Sequence, residues 1–336
     1  MTQFSDLGFK YPNLVYNIWD YYTDESIPTE SEIDFSRLGI LEPIKSILDF
    51  VKNFYDAYTD FDDNSHIGYR TIAKICDKLC EYGFLLRWDI GFPNLDGSSN
   101  YYCGYKDYGK GKELLSQFSG NKNIISYIFN SLVYGFKYIY EYNKRNVLPL
   151  YVKKGEQRHI GTCFKTVHGI VTAKHCISKT DSIEIGGIKK EALTNCNILT
   201  KDNLDLVVIQ PNTEYHNEEY LLTKNGYVLD EIMVMGYPSH CGFDNFVTAT
   251  KGSIAAIEKS YLTKYDLLLL TSKVKGGNSG GPVLNQEGYV VGIVAETSNP
   301  DGEGYDKFSY GLAMPQYYIE EIVENGQQID EKINFE

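Results

Sequence analysis

At Val147 the texture of this sequence changes, and that change limits the architectures open to it more than any other feature. From there on, ten short apolar and β-branched runs follow at close spacing: VLPLYV, IGTCF, GIVTA, SIEI, LDLVVI, EIMVMGY, SIAAI, LLLLTS, GYVVGIVAE and YGLAMP. Gly, Asn, Asp and Lys turns separate them with no helix between, which predicts an antiparallel barrel or sandwich. A helical segment at 316–323 (QYYIEEIV) follows Pro315 and closes the region. Before Val147 the period is helical. Ile44, Ile47, Leu48, Val51, Phe54, Tyr55 and Tyr58 recur at three and four after Pro43, a residue suited to a first helical turn. Ile72, Ile75, Cys76, Leu79 and Tyr82 repeat the stripe, and Ile124, Ile125, Ile128, Phe129, Leu132, Val133 and Phe136 mark a long helix ending near Asn146. Residues 95–112 (LDGSSNYYCGYKDYGKGK) read as loop. The expected fold class is therefore α+β and multidomain: a mostly helical domain over 1–146, a β-barrel domain with a terminal helix over 147–326, and a tail over 327–336.

With 336 residues, 43% of them hydrophobic, the chain has apolar mass for two cores. Lys and Arg number 32 against 45 Asp and Glu, a formal net charge of -13, which disfavours binding to a phosphate backbone. The first 146 residues hold 15 basic and 20 acidic side chains, so the tyrosines concentrated there are read as core and rim aromatics rather than as a base-stacking surface. No basic start followed by an apolar core opens the sequence. The longest aliphatic run, 267–270, falls far short of the ~20 residues a membrane span requires. Seven cysteines, an odd number, fit reduced thiols in a cytoplasmic protein. Cys76, Cys80, Cys103 and His66 lack the two tight pairs of a zinc finger, and GYKDYGKGK (104–112) lacks the strand, spacing and Ser/Thr of a phosphate loop. Neither a metal nor a cofactor is expected.

A nucleophilic serine must be exposed on a tight turn beside backbone N–H groups that can hold an oxyanion, and it needs a base oriented by an acid. GNSGGP at 277–282 supplies such a turn: its three glycines allow positive φ and close approach of a substrate backbone, and the N–H groups of Gly277 and Ser279 can converge on one point. His175 follows an apolar strand in GIVTAKHC. Asp205 opens another in LDLVVI, where a lone carboxylate is costly unless something accepts its charge. Asp202 competes for the role; Asp205 is preferred because the apolar run begins immediately after it. A histidine, an aspartate 30 positions later and a serine 74 further on is one of the chain orders in which a catalytic triad arises.

On these motifs, residues from about 147 to 325 resemble a trypsin/chymotrypsin-fold serine protease, in style the bacterial HtrA-type enzymes. TAKHC matches the family's histidine motif, DLVVI its aspartate strand and GNSGGPV its serine motif, while MGYP (235–238) and YGLAMP resemble two of its later strands. The resemblance implies two six-stranded barrels with the triad at their junction. It makes Ser279 the nucleophile, His175 the base and then the acid, Asp205 the group that orients the imidazole, and the N–H groups of Gly277 and Ser279 the oxyanion hole. Lys273 takes the place of the primary-pocket base, which removes support for a trypsin-type preference and leaves it either favouring an acidic side chain or facing solvent. Ala295, Glu296 and Thr297 take the strand edge expected to pair with substrate backbone. Asn278 stands where secreted relatives carry the aspartate that pairs with a newly cut amino terminus, and a neutral amide cannot make that ion pair. Switching is therefore expected through loop ordering, biased by the amino-terminal domain or its ligand. Cys176 matches one half of a bridge found in the secreted enzymes, whereas Cys163 is displaced by a few positions, so free thiols are the default. The implied function is that of a regulated intracellular serine endopeptidase, such as an effector of bacterial defence or stress response. Its partners would be a protein or peptide substrate and an activating protein or ligand at the amino-terminal domain, with no nucleic acid and no membrane. The alternative is a catalytically silent pseudoprotease used as a protein-binding scaffold.

Overall fold

The computed structural model describes residues 4–24, 44–54, 59–60, 65–88, 100–104, 109–201, 204–212, 220–239, 246–261, 263–295, 310–329 and 333–336. By compactness the chain divides into two units, Met1–Tyr138 and Ile139–Glu336.

Aromatic rings fill the first unit. Its main helices are α1 (Leu14–Thr23), α2 (Ile47–Phe54), α3 (Tyr69–Glu81) and α4 (Lys122–Tyr134), beside a small sheet of Lys45–Ser46, Tyr101–Cys103 and Leu86–Trp88. In α1 the buried face carries Trp19, Tyr21 and Tyr22; Trp19 meets Phe129 of α4 at 5.2 Å between ring centroids, and Tyr22 meets Tyr102 edge-on at 5.6 Å. Such pairs contribute about 0.5–1.5 kcal/mol each beyond the area they bury. Helix α2 starts later than its apolar stripe. Ser46 and Asp49 form a reciprocal cap, the Asp49 N–H donating to Ser46 Oγ and the Ser46 N–H to Asp49 Oδ2, both at 3.1 Å, so Ile44 and Lys45 stay outside the helix. Pro43 lies outside the described residues. At the start of α4, Asn121 Oδ1 accepts the N–H groups of Asn123 and Ile124. The expected long helix is broken at Gly135, whose φ of 73° no helix can carry, and continues as Phe136–Asn143. Part of the stretch read as loop is helical, Gly109–Gln117.

The second unit is antiparallel β structure. Its strands are β1 (Val147–Lys154), β2 (Gln157–Thr166), β3 (Gly169–Thr172), β4 (Ser182–Ile185), β5 (Asn197–Thr200) and β6 (Val207–Gln210), then β7 (Glu231–Gly236), β8 (Thr248–Lys259), β9 (Asp266–Leu270), β10 (Pro282–Asn285), β11 (Val290–Val294) and β12 (Gly311–Pro315). All ten runs picked out in the sequence contain a strand; β5 and β10 are additions. Strands β7 to β12 close into a barrel in the order β7-β8-β9-β12-β11-β10, around Ile232, Val234, Ile254, Leu268, Leu270 and Val283. Helix α5 (Tyr317–Asn325) follows, and its Glu321 pairs with Lys201 beyond the end of β5.

The earlier strands form a seven-stranded sheet, β13-β5-β6-β3-β2-β1-β4, in which β13 is Gln327–Gln328. Residues 327–329 and 333–336 therefore bond to both edges of this sheet. Gln327 and Gln328 pair with Thr200 and Leu199 of β5, and the Ile329 N–H reaches Ile198 O at 2.9 Å. At the opposite edge the Ile183 N–H of β4 donates to Asn334 O, and the Glu336 N–H to Ile183 O, both at 2.9 Å. Phe335 is 8% exposed and joins the core of Leu150, Cys163, Ile183, Val207 and Ile209. Truncating it in Phe335→Ala is expected to cost about 3 kcal/mol, as for other buried phenylalanines. Denaturant unfolding followed by circular dichroism checks this, and an unchanged midpoint would show that the strap carries no stability.

Six cysteines, Cys76, Cys80, Cys103, Cys163, Cys176 and Cys196, are in the thiol form, outside any disulfide. No group of His, Cys, Asp and Glu able to hold a metal, and no helix long and apolar enough to cross a membrane, occurs among the described residues. The strand position opposite Cys176 belongs to Gly161. A Cβ placed there would lie 3.6 Å from Cys176 Cβ and 3.2 Å from its Sγ, within the separation a disulfide spans. Gly161→Cys is thus expected to oxidise to a 161–176 bridge, seen as the loss of two titratable thiols relative to the reduced variant. Retention of both under mild oxidant would rule the geometry out.

Candidate active site

Pairing of Val207 with Thr172 sets the start of β6 beside the end of β3, and the two chemically loaded segments emerge at that point. After β3 the chain makes one helical turn, Lys174–Ile177, rather than running straight into the histidine, and this turn carries His175. Asp205 precedes β6 between Leu204 and Leu206, whose side chains are 1% and 0% exposed and hold the backbone in place. One carboxylate secures the whole arrangement: Asp205 Oδ1 accepts the His175 backbone N–H at 2.8 Å, and Oδ2 meets the ring Nδ1 at 2.6 Å. The Lys174 N–H adds a bond to Asp205 O at 3.2 Å. With Nδ1 donating to the carboxylate, Nε2 is left as the basic nitrogen. Burial opposes the charged ring, but hydrogen bonds with Asp205 and Cys176 outweigh it and raise the imidazole pKa well above its ordinary value. Asp202 lies outside the described residues.

The serine turn depends on its glycines at two places. Gly277 has φ 93° and a Cβ there would sit 2.3 Å from Tyr237 O; Gly280 has φ 83° and a Cβ would sit 2.3 Å from Thr162 O. Only glycine fits both demands. Within the turn the N–H groups of Asn278, Gly280 and Gly281 are spent on Lys275 O, Val294 O and Asn278 O at 2.8–3.0 Å. Those of Gly277 and Ser279 have no backbone partner among the described residues. Asn278 is buried at 4% exposure.

Thr162, on β2, ties this turn to the other sheet. Its Oγ1 donates to Gly277 O at 2.7 Å and accepts the Tyr237 N–H at 2.9 Å, while its own N–H donates to Ser279 O at 3.0 Å. Nothing in a threonine within the run IGTCF signals such a role; the partners come together only in three dimensions.

A cavity of about 380 Å³ brings the site together. His175, Cys176, Gly277 and Ser279 line it with Lys154 and Lys275 among others. The remaining positions named from the sequence fall elsewhere. Lys273 is exposed, its carbonyl accepting Thr250 Oγ1 at 3.2 Å, and it does not line this cavity. Ala295 is buried just after β11, its N–H bonded to Leu312 O at 2.9 Å. Glu296 and Thr297 lie outside the described residues.

Comparison with known proteins agrees on this part of the chain. Residues 161–293 match the trypsin-like peptidase domain family. "Serine protease HtrA-like" of Staphylococcus aureus strain bovine RF122 / ET3-1 is 29% identical over 171 residues, covering 46% of this chain and 21% of the relative; the protein of strain USA300 matches to the same extent. The chain thus spans about a fifth of the length of the curated relatives it matches. Among solved structures, "HtrA-type protease AlgW with tripeptide" aligns at a TM-score of 0.44 and 21% identity, covering 55% of this chain and 61% of the other. The active form of the Rv3671c protease from M. tuberculosis aligns at 0.45 and 17%, covering 58% and 88%. The segment that holds His175, Asp205 and Ser279 is thus the one that matches the trypsin-like peptidase domain family.

Proposed function

We propose that the second unit is a serine endopeptidase in which Ser279, His175 and Asp205 act as a triad. The observation that carries this reading is the opening of Ser279 and of the Asp205-held imidazole onto one cavity. In the proposed cycle Ser279 Oγ attacks the scissile carbonyl carbon while His175 Nε2 takes the hydroxyl proton. The Gly277 and Ser279 N–H groups, unspent within the turn, hold the resulting oxyanion; one such donor contributes about 3 kcal/mol to transition-state stabilisation. Collapse breaks the C–N bond, and His175 returns the proton to the departing amine. Water, deprotonated by the same nitrogen, then cleaves the acyl-enzyme and restores Ser279. Asp205 fixes the tautomer and stabilises the imidazolium throughout.

The helical first unit, with a core of its own, is assigned to sensing, docking or substrate selection, which makes this a regulated enzyme of the kind used in bacterial defence or stress. Six cysteines outside any disulfide favour a reducing compartment such as the cytoplasm.

A fluorophosphonate probe is expected to label Ser279 and to leave Ser279→Ala unmodified. A folded wild-type chain that stays unlabelled would favour the scaffold reading instead. The pH profile gives a second check. Because the imidazole pKa is raised, the free base is lost as pH falls through a value above the ordinary histidine value of about 6.5, so the acid limb of kcat/KM should lie above that point. In Asp205→Asn the limb should move to lower pH and kcat should fall by about 10⁴-fold. A limb unmoved by this substitution would remove Asp205 from the triad.

A further inference from the structure

The cavity next to Ser279 is locally basic in a chain that is acidic as a whole. Its wall includes Lys154 and His159 from the β1–β2 hairpin and Lys275 from the serine loop, and no Asp or Glu. The formal net charge of the chain is -13, so a cationic lining is not what composition alone would place there. Lys154, His159 and Lys275 are exposed, and none makes an ion pair among the described residues. The acidic residues closest in sequence, Glu156 and Asp181, do not line the cavity; Asp181 Oδ2 accepts the Gly155 N–H at 2.6 Å.

The cavity also has a side. Apart from the serine loop its wall is built from β1, β2 and the residues that follow His175, including Cys176 and Thr180, while Ala295 beyond β11 is absent from it. In the cycle above, His175 hands its proton to the departing amine, so the space bordered by the histidine turn and lying away from β11 is the space the leaving peptide occupies. At about 380 Å³ it falls within the size of sites that hold compact ligands, and Val152 and Ile160 supply an apolar floor beneath the cationic rim.

We propose that this cavity receives a carboxylate on the leaving-group side of the scissile bond, held by Lys154 and Lys275. The assignment rests on the serine endopeptidase reading and deepens it by naming a substrate class. The carboxylate has two sources, an Asp or Glu side chain in the first two leaving-side residues or the free carboxyl end of a short leaving peptide; both offer the same anion to the same pair of ammonium groups.

Quenched fluorescent peptides that are identical except for Glu, Gln or Lys at the first two leaving-side positions, each with an amidated end, test the side-chain source. The Gln peptide with a free carboxyl end tests the other. With the full chain, at least one carboxylate form is expected to exceed its neutral counterpart by about two- to fivefold in kcat/KM, the range for exposed ion pairs, and the advantage should shrink at 0.5 M salt. Lys154→Glu with Lys275→Glu should reverse the order and favour the Lys peptide, a gain that misfolding cannot imitate. Equal rates for carboxylate and neutral forms, in an enzyme whose Ser279 is labelled by fluorophosphonate, would overturn the cavity assignment alone. Failure of both labelling and cleavage would overturn the enzyme reading beneath it.

Discussion

Everything distinctive about the second unit passes through Thr162. Its side chain is fully buried, and through Oγ1, N–H and carbonyl it bonds to Gly277, Tyr237, Ser279 and Thr172. A hydrogen bond of this kind contributes about 1 kcal/mol net, but leaving a buried partner unsatisfied costs about 1–3 kcal/mol. The serine turn is thus held to the sheet that carries the histidine by a strand residue with no chemistry of its own. The same crowding explains the glycines. With Thr162 O in contact, position 280 has no room for a side chain, so the sequence of the turn answers to the strand it rests on as much as to the substrate it would meet.

The electrostatics divide between the two sides of the cleft. Behind the histidine a carboxylate takes both the backbone and the ring N–H, which favours the protonated ring and fixes which nitrogen is basic. In front of it the fixed charges on the cavity wall are the ammonium groups of Lys154 and Lys275. Negative charge behind and positive charge ahead suits a reaction in which the imidazole becomes transiently cationic while an anion forms at the carbonyl oxygen and, by our proposal, another anchors the departing chain.

Much of this could be read from the residues. Runs such as GIVTA and EIMVMGY have one interpretation once helices are excluded by length, and the three motifs carry their spacing in the open. What stayed hidden has physical reasons. Helix α1 divides its buried residues between Leu14, Val15 and Ile18 and the rings of Trp19, Tyr21 and Tyr22, which blurs the aliphatic stripe. Strands β5 and β10 are four residues each and sit in polar or glycine-rich surroundings that mask them. The single helical turn at His175 is too short to show a period. Lys154 and Lys275 look like any surface lysines, because only folding brings the β1–β2 hairpin and the serine loop to one cavity. Gly161 shows the opposite case: IGTCF offers a cysteine two positions on and on the same face of the strand, yet position along the strand makes Gly161 the residue beside Cys176.

The edge bonds made by residues 327–329 and 333–336 impose an order of events on biosynthesis. Strands β1 to β6 leave the ribosome before the barrel strands, yet the outer edges of β4 and β5 gain their bonds from Asn334 and Ile329 only when these residues emerge. By then the closed barrel and α5 have been made. The sheet that presents the imidazole and its carboxylate is therefore translated before the barrel and completed after it, and a nascent chain stalled before that point would carry His175, Asp205 and Ser279 in an unsealed scaffold.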